Sequence, residues 1–86
     1  MEASDAVFTK HALDVLEERE IERRWVLQVV AHPELLVLDA EDTELLHVLA
    51  RVPDMGGRVL RVIYNRTVIP VRIITAYFDR TMRWKL

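Results

Sequence analysis

The sequence of 86 residues has no cysteine, only two glycines and three prolines, and no long apolar run. Without cysteine the chain has no disulfide scaffold, no thiol nucleophile and no thiolate zinc site. No window approaches the roughly 18 apolar residues of a membrane span, and residues 1–5 lack the basic start of a secretory signal. We therefore expect a cytoplasmic protein without a membrane partner, held together by packing alone.

The length fits a single domain, residues 1–86, because a chain of this size forms one modest core. No repeat, low-complexity tract or glycine-serine linker divides it. The apolar fraction of 51% is ordinary for a globular protein. The composition thus predicts one globular domain.

Charge is distributed unevenly, although the net charge is only −2. Residues 1–50 carry four basic and twelve acidic groups, whereas residues 51–86 carry eight basic and two acidic groups, so the two parts have charges of −8 and +6. Seven of those eight cations are arginine, whose planar guanidinium suits phosphate. Two explanations stay open: two oppositely charged layers attract each other, or the basic part binds a polyanion.

The N-terminal part has the apolar spacing of two short amphipathic helices. Thr9 can cap the first, over residues 10–19, and the second covers residues 22–32. Pro33 ends it, because the residue before a proline is disfavoured in helical geometry.

The chain then changes to an extended pattern, with strands predicted over residues 35–38, 44–52, 58–65 and 71–78. Gly56 and Gly57 supply the positive φ for a tight turn between the second and third strands. The fold class predicted is α+β, in which two N-terminal helices pack on one face of a three- to four-stranded antiparallel sheet.

Alternation along the strands assigns side chains to two faces. The predicted core face is almost wholly apolar: Leu46, Val48, Ala50, Leu60, Val62, Tyr64, Ile74, Ala76 and Phe78. The opposite face, here named the open face, mixes apolar groups with cations and contains His47, Leu49, Arg51, Val59, Arg61, Ile63, Thr75 and Tyr77. The open face could be a solvated surface, a dimer contact or a platform for RNA.

Several short motifs resemble a known family. They are Phe8-Thr9-Lys10-His11-Ala12, Glu18-Arg19-Glu20-Ile21, and a segment from Leu46 to Arg80 that ends in Thr75-Ala76-Tyr77-Phe78-Asp79-Arg80. Their order and spacing resemble the bacterial and phage family called domain of unknown function 4258, over most of the chain. That family is grouped with the RelE/BrnT-like ribonuclease toxins, so the resemblance implies a toxin-like helix-plus-sheet fold, ribonuclease activity and an antitoxin partner.

Two residues depart from the family pattern. Glu20 replaces the usual glycine between the helices, so this junction must either adopt a less convenient geometry or avoid positive φ. Glu22 replaces a small polar residue at the start of the second helix and should weaken that cap.

The resemblance marks five residues as functional, and all of them are present: His11, Arg19, Arg61, Tyr77 and Arg80. Metal-independent cleavage of RNA needs a proton acceptor, a proton donor and cations on the phosphate. In this hypothesis the catalytic residues are His11, Arg61, Tyr77 and Arg80. The RNA-binding residues are Arg19 together with His47 and Arg51 from the open face and Arg83 from the basic C-terminal segment.

Each of these residues also has a structural explanation. A histidine in the first turn of a helix commonly caps or packs, and His47 could be a cross-strand surface pair. Arg61 and Arg80 could form surface ion pairs with Asp79 or with the acidic helices. The three histidines lie in separate elements without a ligand spacing, and no nucleotide-binding motif occurs, so we predict no metal and no cofactor.

The leading hypothesis is thus an RNA-binding domain of the toxin family. The resemblance adds a catalytic role to it, that of a metal-independent endoribonuclease held inactive by an antitoxin protein. The alternative is a non-catalytic module that binds another protein or forms a homodimer through its open face. A two-fold dimer that buries His47, Arg61 and Tyr77 would favour the second hypothesis.

Overall fold

The computed structural model describes residues 6–86. Residues 1–5, which lack the basic start of a secretory signal, lie outside the described residues. Two α-helices and five β-strands follow one another as β1 Val7–Phe8, α1 Lys10–Glu18, α2 Arg23–Ala31, β2 Leu35–Leu38, β3 Leu45–Val52, β4 Arg58–Asn65 and β5 Arg72–Phe78. Short 3-10 turns follow β3 and β5. The α+β class and both predicted helices are confirmed.

The sheet is larger than predicted and is mixed. It has five strands in the order β1-β5-β4-β3-β2, and β1 runs parallel to β5, while the other neighbours are antiparallel. The prediction of a three- to four-stranded antiparallel sheet was therefore wrong in both respects. A strand of two residues is too short to show an alternating pattern, so β1 could not be recognised.

Local signals fix the ends of α1. The Thr9 hydroxyl accepts a hydrogen bond from the Ala12 amide at 3.0 Å, which confirms the predicted cap. At the other end Glu20 has a φ of 56°, and the amides of Glu20 and Ile21 donate to the carbonyls of Glu17 and Leu16. This pair of bonds is a Schellman motif, a geometry that glycine adopts most readily.

Glu22 precedes α2 without a side-chain capping bond, as expected from its replacement of a small polar residue. Its carboxylate instead accepts a hydrogen bond from the Arg24 side chain at 2.9 Å. At the turn after β3, Gly56 and Gly57 have φ values of 66° and 80°, which confirms the predicted need for positive φ there.

The core lies between the helices and one face of the sheet, because α1 packs on β5 and α2 packs on β3 and β4. Most of the predicted core face is buried there, but Ile73 is fully buried where Ile74 was predicted. The register explains this difference: Ile63 pairs with Thr75 and Tyr64 pairs with Ile73, so Ile74 is the extra residue of a β-bulge. Because the bulge inserts one extra residue, the β5 residues before it lie on the opposite face from the one that simple alternation predicts.

The open face is less exposed than its name suggests. Leu49 and Val59 are buried there, at 0% and 4% exposure, outside the cluster that forms the main core. Leu35 of β2 pairs with Leu49, and the C-terminal residues Arg83, Trp84 and Leu86 line a cleft together with Val59. This side of the sheet therefore also contains a small group of buried apolar side chains beneath its charged residues.

Candidate functional site

A continuous chain of polar contacts, here named the charged chain, crosses the open face. His47 Nε2 lies 2.7 Å from Asp39 Oδ1, and His47 Nδ1 lies 2.8 Å from an Arg61 guanidinium nitrogen. Arg61 Nε in turn donates to Asp79 Oδ2 at 2.9 Å. Asp39 and Asp79 directly follow β2 and β5, whereas His47 and Arg61 lie on the two strands between them. The sheet order thus brings together residues from four separate parts of the sequence.

The partners of the His47 ring determine its tautomer. A guanidinium can only donate, so Nδ1 of His47 must accept the hydrogen bond from Arg61. Nε2 then carries the proton and donates to Asp39. In this arrangement the imidazole is neutral, and both of its nitrogens already have partners.

The two carboxylates at the ends of the charged chain are stabilised in their ionised form. The pKa of Asp39 is lowered by hydrogen bonds from the Asp42 amide, the His47 ring and the Glu41 amide. The Thr81 hydroxyl and the Arg61 guanidinium lower the pKa of Asp79, although burial opposes them.

Asp79 also stabilises the backbone turn that follows β5. Its Oδ1 accepts hydrogen bonds from the Thr81 amide at 2.9 Å and the Thr81 hydroxyl at 2.6 Å, while Oδ2 is held by Arg61. Asp79 is therefore the cap of the 3-10 turn Arg80–Met82. This cap leaves Arg80 exposed at the wall of a neighbouring cleft.

That cleft, here named the arginine cleft, has a volume of about 700 Å³. Its lining contains three arginines and one carboxylate, within the set Met55, Gly56, Arg58, Val59, Phe78, Asp79, Arg80 and Arg83. Among the described residues, Arg58, Arg80 and Arg83 form no ion pair. Because Asp79 is already bound by Arg61, the cleft presents a surplus of positive charge.

Aromatic rings border the same cleft. The Arg58 guanidinium lies 4.2 Å from the centroid of the Phe78 ring, and that of Arg83 lies 5.0 Å from the Trp84 ring. Trp84 is 87% exposed and lines a smaller cleft of about 240 Å³ that shares Arg58 and Arg83 with the first. Two of the cleft arginines therefore lie over aromatic rings, and the Trp84 ring is exposed beside them.

The structure brings some predicted residues together. Arg61 and Tyr77 are cross-strand partners on the open face, beside His47, and Arg80 and Arg83 both line the arginine cleft. Arg61 does form the ion pair with Asp79 that was its alternative explanation. It is only 16% exposed and has little surface left for a phosphate.

Other predicted residues lie elsewhere. His11 is exposed on α1 in the helix layer, so the sheet separates it from His47 and Tyr77. The Arg19 guanidinium donates to the Ala76 carbonyl at 2.8 Å, which satisfies an edge of β5 that β1 does not reach. These positions give Arg19 a structural role and isolate His11 from the charged chain.

Arg51 has a structural partner as well. Its guanidinium donates to both oxygens of Glu34, with a shortest distance of 2.6 Å, and its amide donates to the same carboxylate. This contact lowers the pKa of Glu34, because the guanidinium and the amide stabilise its ionised form. Arg51 thus ties the start of β2 to β3.

Asp39 and Arg58 belong to the site although the sequence predicted no role for them. Asp39 directly follows β2, and only the pairing of Val37 with His47 shows that it lies beside that histidine. Arg58 directly follows the two glycines of the turn, and the strand pairing brings it to Phe78. The feature of the sequence that could have indicated a role for Arg58 is its position as a cation directly after a tight turn.

Over residues 6–86, no group of three or more histidine, aspartate or glutamate side chains is arranged to hold a metal ion. No helix in the described part of the chain is long and apolar enough to cross a membrane.

The fold and site therefore define a small α+β domain with an arginine-rich cleft beside a charged chain on the sheet. Residues 8–78 match the model of the family described as Domain of unknown function (DUF4258), and the chain belongs to that family. The match ends at Phe78, so it includes Arg58 but not Arg80 or Arg83. No curated protein and no solved structure matches the chain significantly.

Proposed function

We propose that this protein is an RNA-binding domain and that the arginine cleft, with the adjoining Trp84, is its binding site. The observation that carries the proposal is the grouping of Arg58, Arg80 and Arg83 around one cleft without carboxylate partners among the described residues. A surplus of guanidinium groups at a concave surface attracts a polyanion.

The distribution of ion pairs supports a binding role over simple attraction between the two charged parts of the chain. Arg24, Arg51 and Arg61 each pair with a carboxylate. Among the ion pairs of the described residues, only Arg51–Glu34 joins a cation of residues 51–86 to a carboxylate of residues 1–50, so attraction between the two parts explains that pair alone. Within residues 6–86, the cleft arginines form no such pair. Their charge is therefore available to a ligand.

Single-stranded RNA fits the aromatic groups of the site. Unstacked bases pack on aromatic rings and on guanidinium planes, while arginines bind the phosphates. Trp84 is exposed and lies next to Arg83, and Phe78 supports the Arg58 guanidinium. A duplex would leave these flat surfaces without bases to stack on.

Cleavage of the bound RNA is a second, separable activity in this proposal. Its support is the Asp39–His47 contact at 2.7 Å next to Arg61 and Tyr77, because a carboxylate that orients an imidazole is a common acid–base arrangement. His47 would have to release one of its two partners to exchange a proton with RNA. Binding therefore has the stronger geometric support.

The toxin-like relationship suggested by the sequence motifs belongs to the same proposal. An antitoxin protein would then act by covering the arginine cleft. The alternative, a homodimer through the open face, has less support, because His47 and Arg61 are only 15% and 16% exposed and already have polar partners. Their burial would add little area to an interface.

The test is a titration of a fluorescently labelled single-stranded RNA of about twelve nucleotides, followed by anisotropy at several salt concentrations. We expect Arg58→Ala and Arg83→Ala each to weaken binding and to reduce the slope of log affinity against log salt by about one. Arg72→Ala is the matched control. Arg72 is exposed and opens β5, whereas the cleft residue Phe78 ends that strand.

The proposal fails if the wild-type chain does not bind RNA, or if Arg72→Ala weakens binding as much as the cleft variants.

A second assay tests cleavage. The same RNA is incubated with the protein in the presence of EDTA and is then run on a denaturing gel. Fragments that disappear in His47→Ala, with binding retained, would support cleavage. Intact RNA in every sample would leave a binding domain without ribonuclease activity.

A further inference from the structure

In the described part of the chain, one edge of the sheet is apolar and has no strand beside it. Strand β2 is the outermost strand next to β3, and its sequence Leu35-Leu36-Val37-Leu38 contains no charge and no proline. Leu36, Val37 and Leu38 are 55%, 39% and 61% exposed. Natural proteins usually protect such an edge with lysine, proline or a bulge, because free backbone groups recruit another strand.

The register shows which backbone groups of β2 are free. The Asp39 amide donates to the Leu45 carbonyl, and in an antiparallel ladder alternate residues share the same direction. The backbone groups of Leu35 and Val37 thus point to β3, whereas those of Leu36 and Leu38 point away from the sheet. The side chains of Leu36 and Leu38 also share one face, since their partners on β3 are Val48 and Leu46.

We propose that a second copy of this chain pairs with this edge, with the two β2 strands antiparallel about a two-fold axis. A register centred on Val37 sets Leu36 opposite Leu38 of the second copy, and the reverse. Both outward-pointing residues then exchange hydrogen bonds, and four half-exposed leucines form one apolar cluster. The two sheets become one sheet of ten strands.

The charge pattern is compatible with a second copy. The three central positions, Leu36, Val37 and Leu38, contain no ionised side chain, and Leu35 lies opposite Asp39 of the second copy, whose carboxylate is already held by His47. Glu34, which precedes the strand, is likewise held by Arg51. Glu41 and Asp42 remain near the interface and would repel weakly. Salt should therefore strengthen this dimer by screening, whereas it would weaken a dimer formed from the oppositely charged parts of two chains.

The expected association is weak to moderate. A four-residue edge and its neighbouring side chains bury less than the roughly 1,200 Å² at the lower end of stable interfaces. We expect a dissociation constant in the micromolar range and a monomer at nanomolar concentration.

The test is sedimentation velocity of the full chain from about one to several hundred micromolar, which brackets the expected dissociation constant. We expect a shift to twice the monomer mass that is enhanced by salt. Leu36→Lys and Leu38→Glu should each abolish the dimer, because each sets a charge against a leucine. Both side chains are more than half exposed, so the fold should survive, as circular dichroism would show.

A mixture of the two variants provides the decisive measurement. In the proposed register the lysine introduced by Leu36→Lys in one chain would face the glutamate introduced by Leu38→Glu in the other, so an equimolar mixture should form a heterodimer. Ile69→Lys is the matched control: Ile69 is 87% exposed between β4 and β5, and its replacement should leave dimerisation unchanged. A chain that stays monomeric throughout the range, or a dimer that persists in both variants, would overturn the proposal.

Discussion

Replacing Glu20 by glycine should stabilise the fold. Glu20 has a φ of 56° at the end of α1, and its amide and that of Ile21 form the two bonds of the Schellman motif. Ile21 and Leu16, which this motif brings together, are both part of the core. The chain therefore cannot avoid the left-handed conformation without losing core packing.

The magnitude follows from two opposing terms. An L-residue in the left-handed region costs about 1–2 kcal/mol, which glycine avoids because it has no Cβ. Glycine in turn loses about 0.5–1 kcal/mol more conformational entropy on folding. The net expectation for Glu20→Gly is a gain of about 0.5–1 kcal/mol in the free energy of unfolding, or roughly 3–6 °C in Tm for a domain of this size.

Urea and thermal unfolding of the wild type, Glu20→Gly and Glu20→Ala measure this effect. Glu20→Ala removes the same carboxylate but keeps the Cβ, so it separates backbone strain from charge. Glu17→Gly, on the exposed side of α1, should instead destabilise the protein by about 1 kcal/mol. If Glu20→Gly is no more stable than Glu20→Ala, strain at residue 20 is not the cause and the reasoning is refuted.

Two further predictions concern the sheet. Asp79→Asn should destabilise the protein by about 2 kcal/mol at pH 7, because it leaves the largely buried Arg61 without its charged partner. The folded-state pKa of Asp79 lies below its usual value of 3.8, so its contribution is present above that pH and is lost as the pH falls. Urea unfolding between about pH 5 and 2 should show a steeper loss for the wild type than for Asp79→Asn, and parallel curves would contradict this. The bulge predicts that Ile73→Ala costs about 2–5 kcal/mol and Ile74→Ala clearly less, so equal losses would disprove the observed register.

Much of the fold could be predicted from local patterns. Residues 10–19 and 22–32 were predicted as helices, and the structure has Lys10–Glu18 and Arg23–Ala31. The four longer strands also lie within one residue of their predicted limits. The bulge and β1 were not predicted, because neither can be recognised from the order of apolar and polar residues in the sequence. Both depend on which strand lies alongside.

The candidate site was predicted less well. Alternation correctly placed His47, Arg61 and Tyr77 on one face of the sheet. It could not show that Asp39 and Asp79 bind His47 and Arg61, because those contacts join residues that are 8 and 18 positions apart. His11 was selected by resemblance alone, and the structure separates it from the other candidates.

The sequence by itself determined the two helices, the longer strands, the turn at Gly56 and the charge imbalance, because each depends on neighbouring residues or on composition. The tertiary structure alone decided which cations are available. Arg51 and Arg61 are bound by carboxylates from other elements, whereas Arg58 and Arg80 line an open cleft. Ion pairing depends on distances across the sheet, and no local pattern in the sequence contains those distances.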